Sequence, residues 1–115
     1  MLYDDLSALA QQLNDNRGAR SLMEAFPKTI RIETDDGSAL TLSFAGGRMA
    51  VAQGPGGEPD ITVQTQPLAF ARVVRGELDY SHLMAHGTLR VTKGKVSDMV
   101  LLNRILWITK RGAAA

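Results

Sequence analysis

Residues 29–51 read TIRIETDDGSALTLSFAGGRMAV, and the period of this stretch decides the fold. Ile30 and Ile32 alternate with Arg31 and Glu33. Leu40, Leu42 and Phe44 alternate with Thr41 and Ser43, and Met49 and Val51 alternate with Arg48 and Ala50. A repeat of two puts one set of side chains on each face of a strand. Asp35-Asp36-Gly37-Ser38 and Ala45-Gly46-Gly47 separate the runs, and turn glycines at such short spacing are hairpin signals. The stretch predicts a three-stranded antiparallel meander.

Toward the N-terminus the period lengthens. Leu2, Leu6, Leu9, Ala10 and Leu13 recur at helical spacing, predicting an amphipathic helix over residues 2 to about 15 that Gly18 ends or interrupts. A second short helix has Leu22, Met23 and Phe26 on one side and stops at Pro27. On the other side of the meander, Gln53 to Pro59 reads as a loop, and Ile61 and Val63 mark a fourth strand. Pro67 opens a helix with Phe70, Val73 and Val74 on one face, which Gly76 caps in a left-handed conformation. Asp79 is the expected N-cap of a short helix carrying Tyr80, Leu83 and Met84, closed by Gly87. Leu89 and Val91 supply a fifth strand, and residues from about Val96 to Thr109 the last helix.

Every strand is apolar on one face. Arg31, Glu33, Thr41, Ser43, Thr62, Gln64, Arg90 and Thr92 all point the other way. A sheet with one wet face packs helices on its other face only. The fold class is therefore α+β, a five-stranded, mostly antiparallel sheet with helices on one face. One domain is expected over residues 1–111, with residues 112–115 as a disordered tail.

A chain of 115 residues supports a single core that needs no disulfide or metal. The absence of cysteine excludes a disulfide framework, a zinc knuckle and a thiol nucleophile, and fits a reducing compartment. Met1 to Asp5 lack the basic segment of a signal peptide, and the apolar run Ile105 to Ile108 is too short to span a bilayer. A cytoplasmic location is expected. The net charge of +1 argues against nucleic-acid binding. From Gly87 onward six bases face one acid, net +5, and residues 1–86 hold seven bases and eleven acids, net −4. That surplus suits a solvated basic face, or a docking patch for anionic head groups at a membrane surface or for an acidic partner.

Catalytic signatures fail one by one. His82 and His86 share a helical face at a spacing that can hold zinc, but no glutamate lies between them and no third ligand is evident. Two histidines near a helix C-terminus, where positive charge is favourable, is the simpler reading. Asp35-Asp36 suits a turn and Asp4-Asp5 a helix's first turn. Gly54 to Gly57 lacks the lysine of a phosphate cradle, and no serine sits in a nucleophile elbow. Neither catalytic residues, a metal site nor a cofactor is expected. The last helix stands apart: Val96, Met99, Val100, Leu101, Leu102, Ile105, Leu106, Trp107 and Ile108 occupy nearly all its sides. Burial under the N-terminal helix, a homodimer interface and the wall of an apolar pocket all remain open.

The order of elements resembles the sterol carrier protein type-two lipid-transfer domain family. The resemblance runs from about Leu6 to Ile108 and rests on Pro59-Asp60-Ile61-Thr62-Val63, the step from Gly76 to Asp79, and Gly87-Thr88-Leu89-Arg90-Val91. Where that family carries a glycine directly after the fifth strand, Lys93 stands here and Gly94 follows, which implies a re-aimed start to the last helix. The resemblance implies an apolar tunnel between sheet and helices for sterols, fatty acyl chains, acyl-CoA or phospholipids. An empty void of about 400 Å³ at roughly 24 cal/mol per Å³ would cost about 10 kcal/mol. Total domain stability is only about 5–15 kcal/mol. A tunnel must therefore be lipid-filled, partly hydrated or narrowed by relaxation.

The expected function is non-enzymatic binding, transfer or presentation of a fatty acyl, sterol-like or isoprenoid ligand. Apolar residues on the inner face make the expected wall: Leu42, Phe44, Met49, Ile61, Phe70, Val73, Leu83, Met84, Met99, Leu102 and Leu106. The alternative is an accessory module, a homodimer or the partner of a lipid- or quinone-modifying enzyme, acting through the apolar last helix.

Overall fold

The computed structural model describes residues 2–78 and 80–114. Its elements in chain order are α1 (Leu2–Asn14), α2 (Arg17–Glu24), β1 (Thr29–Thr34), β2 (Ala39–Ala45), β3 (Arg48–Gln53), β4 (Ile61–Thr65), α3 (Pro67–Val74), α4 (Tyr80–Ala85), β5 (Leu89–Lys93) and α5 (Val96–Ala114). The alternating stretch becomes β1, β2 and β3, paired antiparallel as predicted. Ile30 lies beside Leu42 and Leu42 beside Val51, while Phe44 lies beside Met49. On the other side of β1, β4 runs parallel to it with Ile30 beside Ile61, and β5 returns antiparallel with Val63 beside Val91. The sheet order is β3-β2-β1-β4-β5. Every strand pair sets apolar beside apolar at its centre, though Leu40 lies beside Gln53 and Leu89 beside Thr65, so one face carries apolar rows for helices to cover.

This order constrains the connection from β3 to β4. It starts at an edge strand and must cross both β2 and β1. The helices occupy the apolar face, so residues 54–60 cross the outer one and are fastened to it. Thr41 Oγ1 donates to the Gly54 carbonyl at 2.8 Å, and the Arg31 guanidinium donates to the Pro55 and Gly57 carbonyls at 3.1 Å each. Lys93 pairs with Glu58 across the same face. Thr41 and Thr62, expected on a wet face, are consequently buried. Gly56 has a φ of +64°, and a Cβ there would lie 2.8 Å from Thr41 Oγ1, so both backbone and space demand glycine.

On the helical side, α1 turns Leu2, Leu6, Leu9, Ala10 and Leu13 into the core. Gly18 does not end it. The chain leaves α1 after Asn14, Asn16 caps α2 by accepting from the Ala19 N–H at 2.9 Å, and Gly18 lies inside α2. Pro67 stands at the start of α3, and Arg75, Gly76 and Glu77 end it as a Schellman turn. The Glu77 N–H donates to the Arg72 carbonyl at 2.8 Å, and the Gly76 N–H to that of Val73 at 3.0 Å. Gly87 and Thr88 close α4 in the same way, donating to Met84 and Leu83. Asp79, the expected cap of α4, lies outside the described residues.

The displaced glycine after β5 has a local explanation. Thr62 pairs with Lys93 and Val63 with Val91, leaving Thr92 as the extra residue of a bulge. Gly94, at φ +94°, then turns close over β4, where a Cβ would lie 3.0 Å from Ile61 Cγ1 and 3.1 Å from the Asp60 carbonyl. α5 continues to Ala114, beyond the predicted end at Thr109. It packs on α1 and α2 through Met99, Leu102, Ile105 and Leu106, while Ser97, Val100, Leu101 and Arg104 face outward. The indole of Trp107 ties it to α3, donating to the Val73 carbonyl at 3.1 Å.

Candidate functional site

The structure brings all eleven expected wall residues together in the layer between the sheet's apolar face and the helices. Ten of them, Leu42, Phe44, Met49, Ile61, Phe70, Val73, Leu83, Met99, Leu102 and Leu106, are at most 4% exposed. Met84 is partly buried and packs against the same cluster. They share it with Leu6, Leu13, Met23 and Phe26, and Phe26 meets Phe44 edge to face at 5.3 Å and 79°. Met23, Met49, Met84 and Met99 supply this layer with unbranched, polarizable side chains.

Among the described residues, two surface hollows stand out. The apolar one, about 230 Å³, lies between α3, α4 and the start of β5, walled by Ala69, Leu78 and Leu83. Of the eleven wall residues, Leu83 is the one that also lines this hollow, so its side chain separates the hollow from the core. Arg72, His82, His86 and Thr88 complete the lining. The imidazoles of His82 and His86 stand side by side, centroids 4.5 Å apart, as their helical spacing predicts. Ala69, Arg72 and Leu78 were missed in the sequence because a hollow between two short helices depends on how they dock. The pairing of His82 with His86 was the one visible signal.

The second hollow, about 400 Å³, is polar and lies beyond the C-terminal ends of the parallel strands β1 and β4. Gln64 links its two sides, donating to Glu33 at 3.3 Å and accepting from Arg90 at 3.4 Å. Among the described residues no group of three or more His, Asp or Glu could hold a metal ion, and no helix is long and apolar enough to cross a membrane.

The family description "SCP-2 sterol transfer family" matches residues 6–103. The chain belongs to that family. Solved structures agree on the fold. The protein is similar to a structure named "UbiJ-SCP2 Ubiquinone synthesis protein", with TM-score 0.74 and 18% identity over 91% of this chain and 87% of that one. It is also similar to sterol carrier protein 2 from Yarrowia lipolytica, with TM-score 0.67 and 22% identity over 91% and 86% of the two chains. A sterol carrier protein domain of Helicoverpa armigera gives TM-score 0.72 and 14% identity over 95% and 85%. A comparison with curated protein sequences gave no match.

The small motifs that mark this SCP-2 domain hold backbone in place. Asp60 accepts from the Thr29 N–H at 2.9 Å while its own N–H donates to the Thr29 carbonyl at 2.9 Å, fixing the first rung of the parallel pair. Thr88 Oγ1 donates to the Leu83 carbonyl at 3.1 Å, and Thr65 Oγ1 to the Thr88 carbonyl at 3.0 Å. Together they pin the end of α4 to the sheet.

Proposed function

We propose that this SCP-2 domain binds an apolar lipid or isoprenoid between its sheet and its helices, without catalysing a reaction on it. Leu83 carries the reading. It is buried in the core and also walls an apolar surface hollow, so of the expected wall residues it is the one at which a ligand tail would enter. Leu83 sits on a six-residue helix, and a helix that short depends on its packing and caps for stability. The other supports are family membership over residues 6–103 and a core rich in adaptable methionines. One fold neighbour has ubiquinone synthesis in its name, so an isoprenoid quinone belongs in the ligand panel beside fatty acids and sterols.

The test is a charge placed at the wall. Met84→Asp, at a partly buried position, is expected to weaken binding of a fluorescent fatty acid at least about tenfold, since a buried charge disfavours an apolar guest. The far-UV circular dichroism spectrum should stay folded. Unchanged binding in the folded variant, or joint loss of binding and fold, would remove Met84 from the ligand wall.

A second reading rests on a different observation. Val100 and Leu101 on α5 are 45% and 40% exposed, large apolar side chains on the outer side of a helix. They suit a homodimer or an accessory contact with a lipid- or quinone-modifying enzyme. Light scattering of the wild type and of Leu101→Asp separates the cases: a dimer that the substitution dissolves supports this reading.

A further inference from the structure

We infer that the polar hollow beyond β1 and β4 binds a short zwitterion of dipeptide size, with Glu33 and Asp35 on its ammonium and Arg90 on its carboxylate. This goes beyond the lipid-binding reading and is independent of it, since none of the eleven expected wall residues lines this hollow. The place in the fold is the first support. β1 and β4 run parallel, and the chain leaves β1 toward β2 on one side but leaves β4 through α3 and α4 toward β5 on the other. A crevice at the carboxyl ends of parallel strands, where the connections part, is where open α/β sheets hold their ligands. The volume, about 400 Å³, lies within the range of roughly 300–1,000 Å³ usual for small-molecule sites.

The chemistry of the lining sets the ligand class. The hydroxyls of Thr34, Thr65 and Thr88 donate to Asp36 and to the Thr88 and Leu83 carbonyls, so toward a ligand they offer lone pairs. The backbone N–H groups of Thr34, Asp35, Gln66, Gly87 and Thr88 are likewise spent on carbonyls of the protein. With the Glu33 and Asp35 carboxylates added, this part of the lining is rich in acceptors and suits an ammonium. Arg90 supplies the opposite charge, with a guanidinium shaped for a carboxylate. Among the described residues neither Asp35 nor Arg90 enters an ion pair. Gln64 joins Glu33 to Arg90 by contacts of 3.3 and 3.4 Å, long for hydrogen bonds, so a ligand's full charges compete well for both ends. The spacing sets the size. Glu33, Gln64 and Arg90 are neighbours across β1, β4 and β5, which puts acid and base two strand spacings apart, roughly 9–10 Å at the backbone. A single amino acid carries both charges on one carbon and is too short, whereas an extended dipeptide separates them by two residue lengths, roughly 7 Å.

Amide NMR titration of the full chain at low salt, with alanylalanine, N-acetyl-alanylalanine, alanylalanine amide and alanine, reads location and affinity together. Alanylalanine should move the amides of residues 33–35, 64–66 and 87–90 and saturate with a dissociation constant of about 1 mM or below. Acetylation, amidation and shortening to alanine should each weaken binding at least about tenfold, the range for a charge-assisted hydrogen bond. Glu33→Gln/Asp35→Asn should abolish the penalty for acetylation and keep the one for amidation, and Arg90→Gln should do the reverse. Asp35 and Arg90 are exposed, so Arg90→Gln should keep the wild-type spectrum away from the hollow. If the double variant does not, Asp35→Asn alone should still reduce the penalty for acetylation. No response to alanylalanine, shifts confined to other residues, equal affinity for the blocked or shortened probes, or penalties that the variants leave unchanged would each overturn the inference. None of these results touches the lipid-binding reading, whose own test is a fatty acid and a change at Met84.

Discussion

Asn14 at the end of α1 does for the sheet what another strand would do. Its side-chain amide donates to the Met49 carbonyl at 3.0 Å and accepts from the Met49 N–H at 2.8 Å, satisfying both backbone groups of a residue on the edge strand β3. Asp60 treats Thr29 similarly, at the first rung of the parallel pair. Truncating Asn14 leaves both Met49 backbone groups without that partner, and truncating Asp60 leaves the Thr29 N–H without its own, at about 1–3 kcal/mol for a group shielded from water. Asn14→Ala is expected to lower unfolding free energy by about 1–2 kcal/mol in urea titrations. Asn14→Asp should lower it further, because a carboxylate would face the Met49 carbonyl. If Asn14→Asp is as stable as wild type, the amide contact is not a stabilising one. None of these roles could be read from the sequence. Asn14 looked like one more polar residue at a helix end, because its partner lies 35 positions away.

At the scale of elements, the strands were legible because a two-residue period needs no knowledge of neighbours, and the register then follows from burying one face. The path of residues 54–60 was not legible, since it depends on β4 joining the far side of β1. That crossing converts a Gly-Pro segment into a cover over Arg31 and Thr41 on the outer face. Its ionic fastening titrates. The hydrogen bond and charge of Lys93 hold the Glu58 carboxyl below its ordinary value, and in the β1–β2 turn the Thr34 hydroxyl, with the Ser38 backbone, does the same for Asp36. A carboxyl depressed on folding stabilises the fold fully above its unfolded value, about pH 4, and loses that contribution as pH falls through the lower folded value. The stability difference between wild type and Lys93→Met should therefore be constant from pH 7 to about pH 5 and shrink toward pH 3. A difference that grows on acidification would contradict the assignment. Both groups lie at the surface, so added salt should weaken the effect.

For the whole molecule, the fold was readable from the order of periods, and the family from small motifs that turn out to hold strands and helix ends together. The site was harder to read for a physical reason: an apolar ligand wall and an apolar core use the same residues. Ten of the eleven expected wall residues lie in one buried cluster with Met84 packed against it, and Leu83 also lines the apolar surface hollow. α5 shows the same ambiguity. Apolar nearly all round in sequence, it buries Met99, Leu102, Ile105 and Leu106 and leaves Val100 and Leu101 outside. The central claim is that the buried cluster can open to accept a lipid tail. Native mass spectrometry of the full chain, purified gently and then incubated with palmitate, cholesterol and a short-tailed ubiquinone, tests it most directly. The account predicts a one-to-one adduct that survives desolvation, is competed by a second lipid and is lost in Met84→Asp. A bare mass throughout, with every lipid in excess, would contradict it.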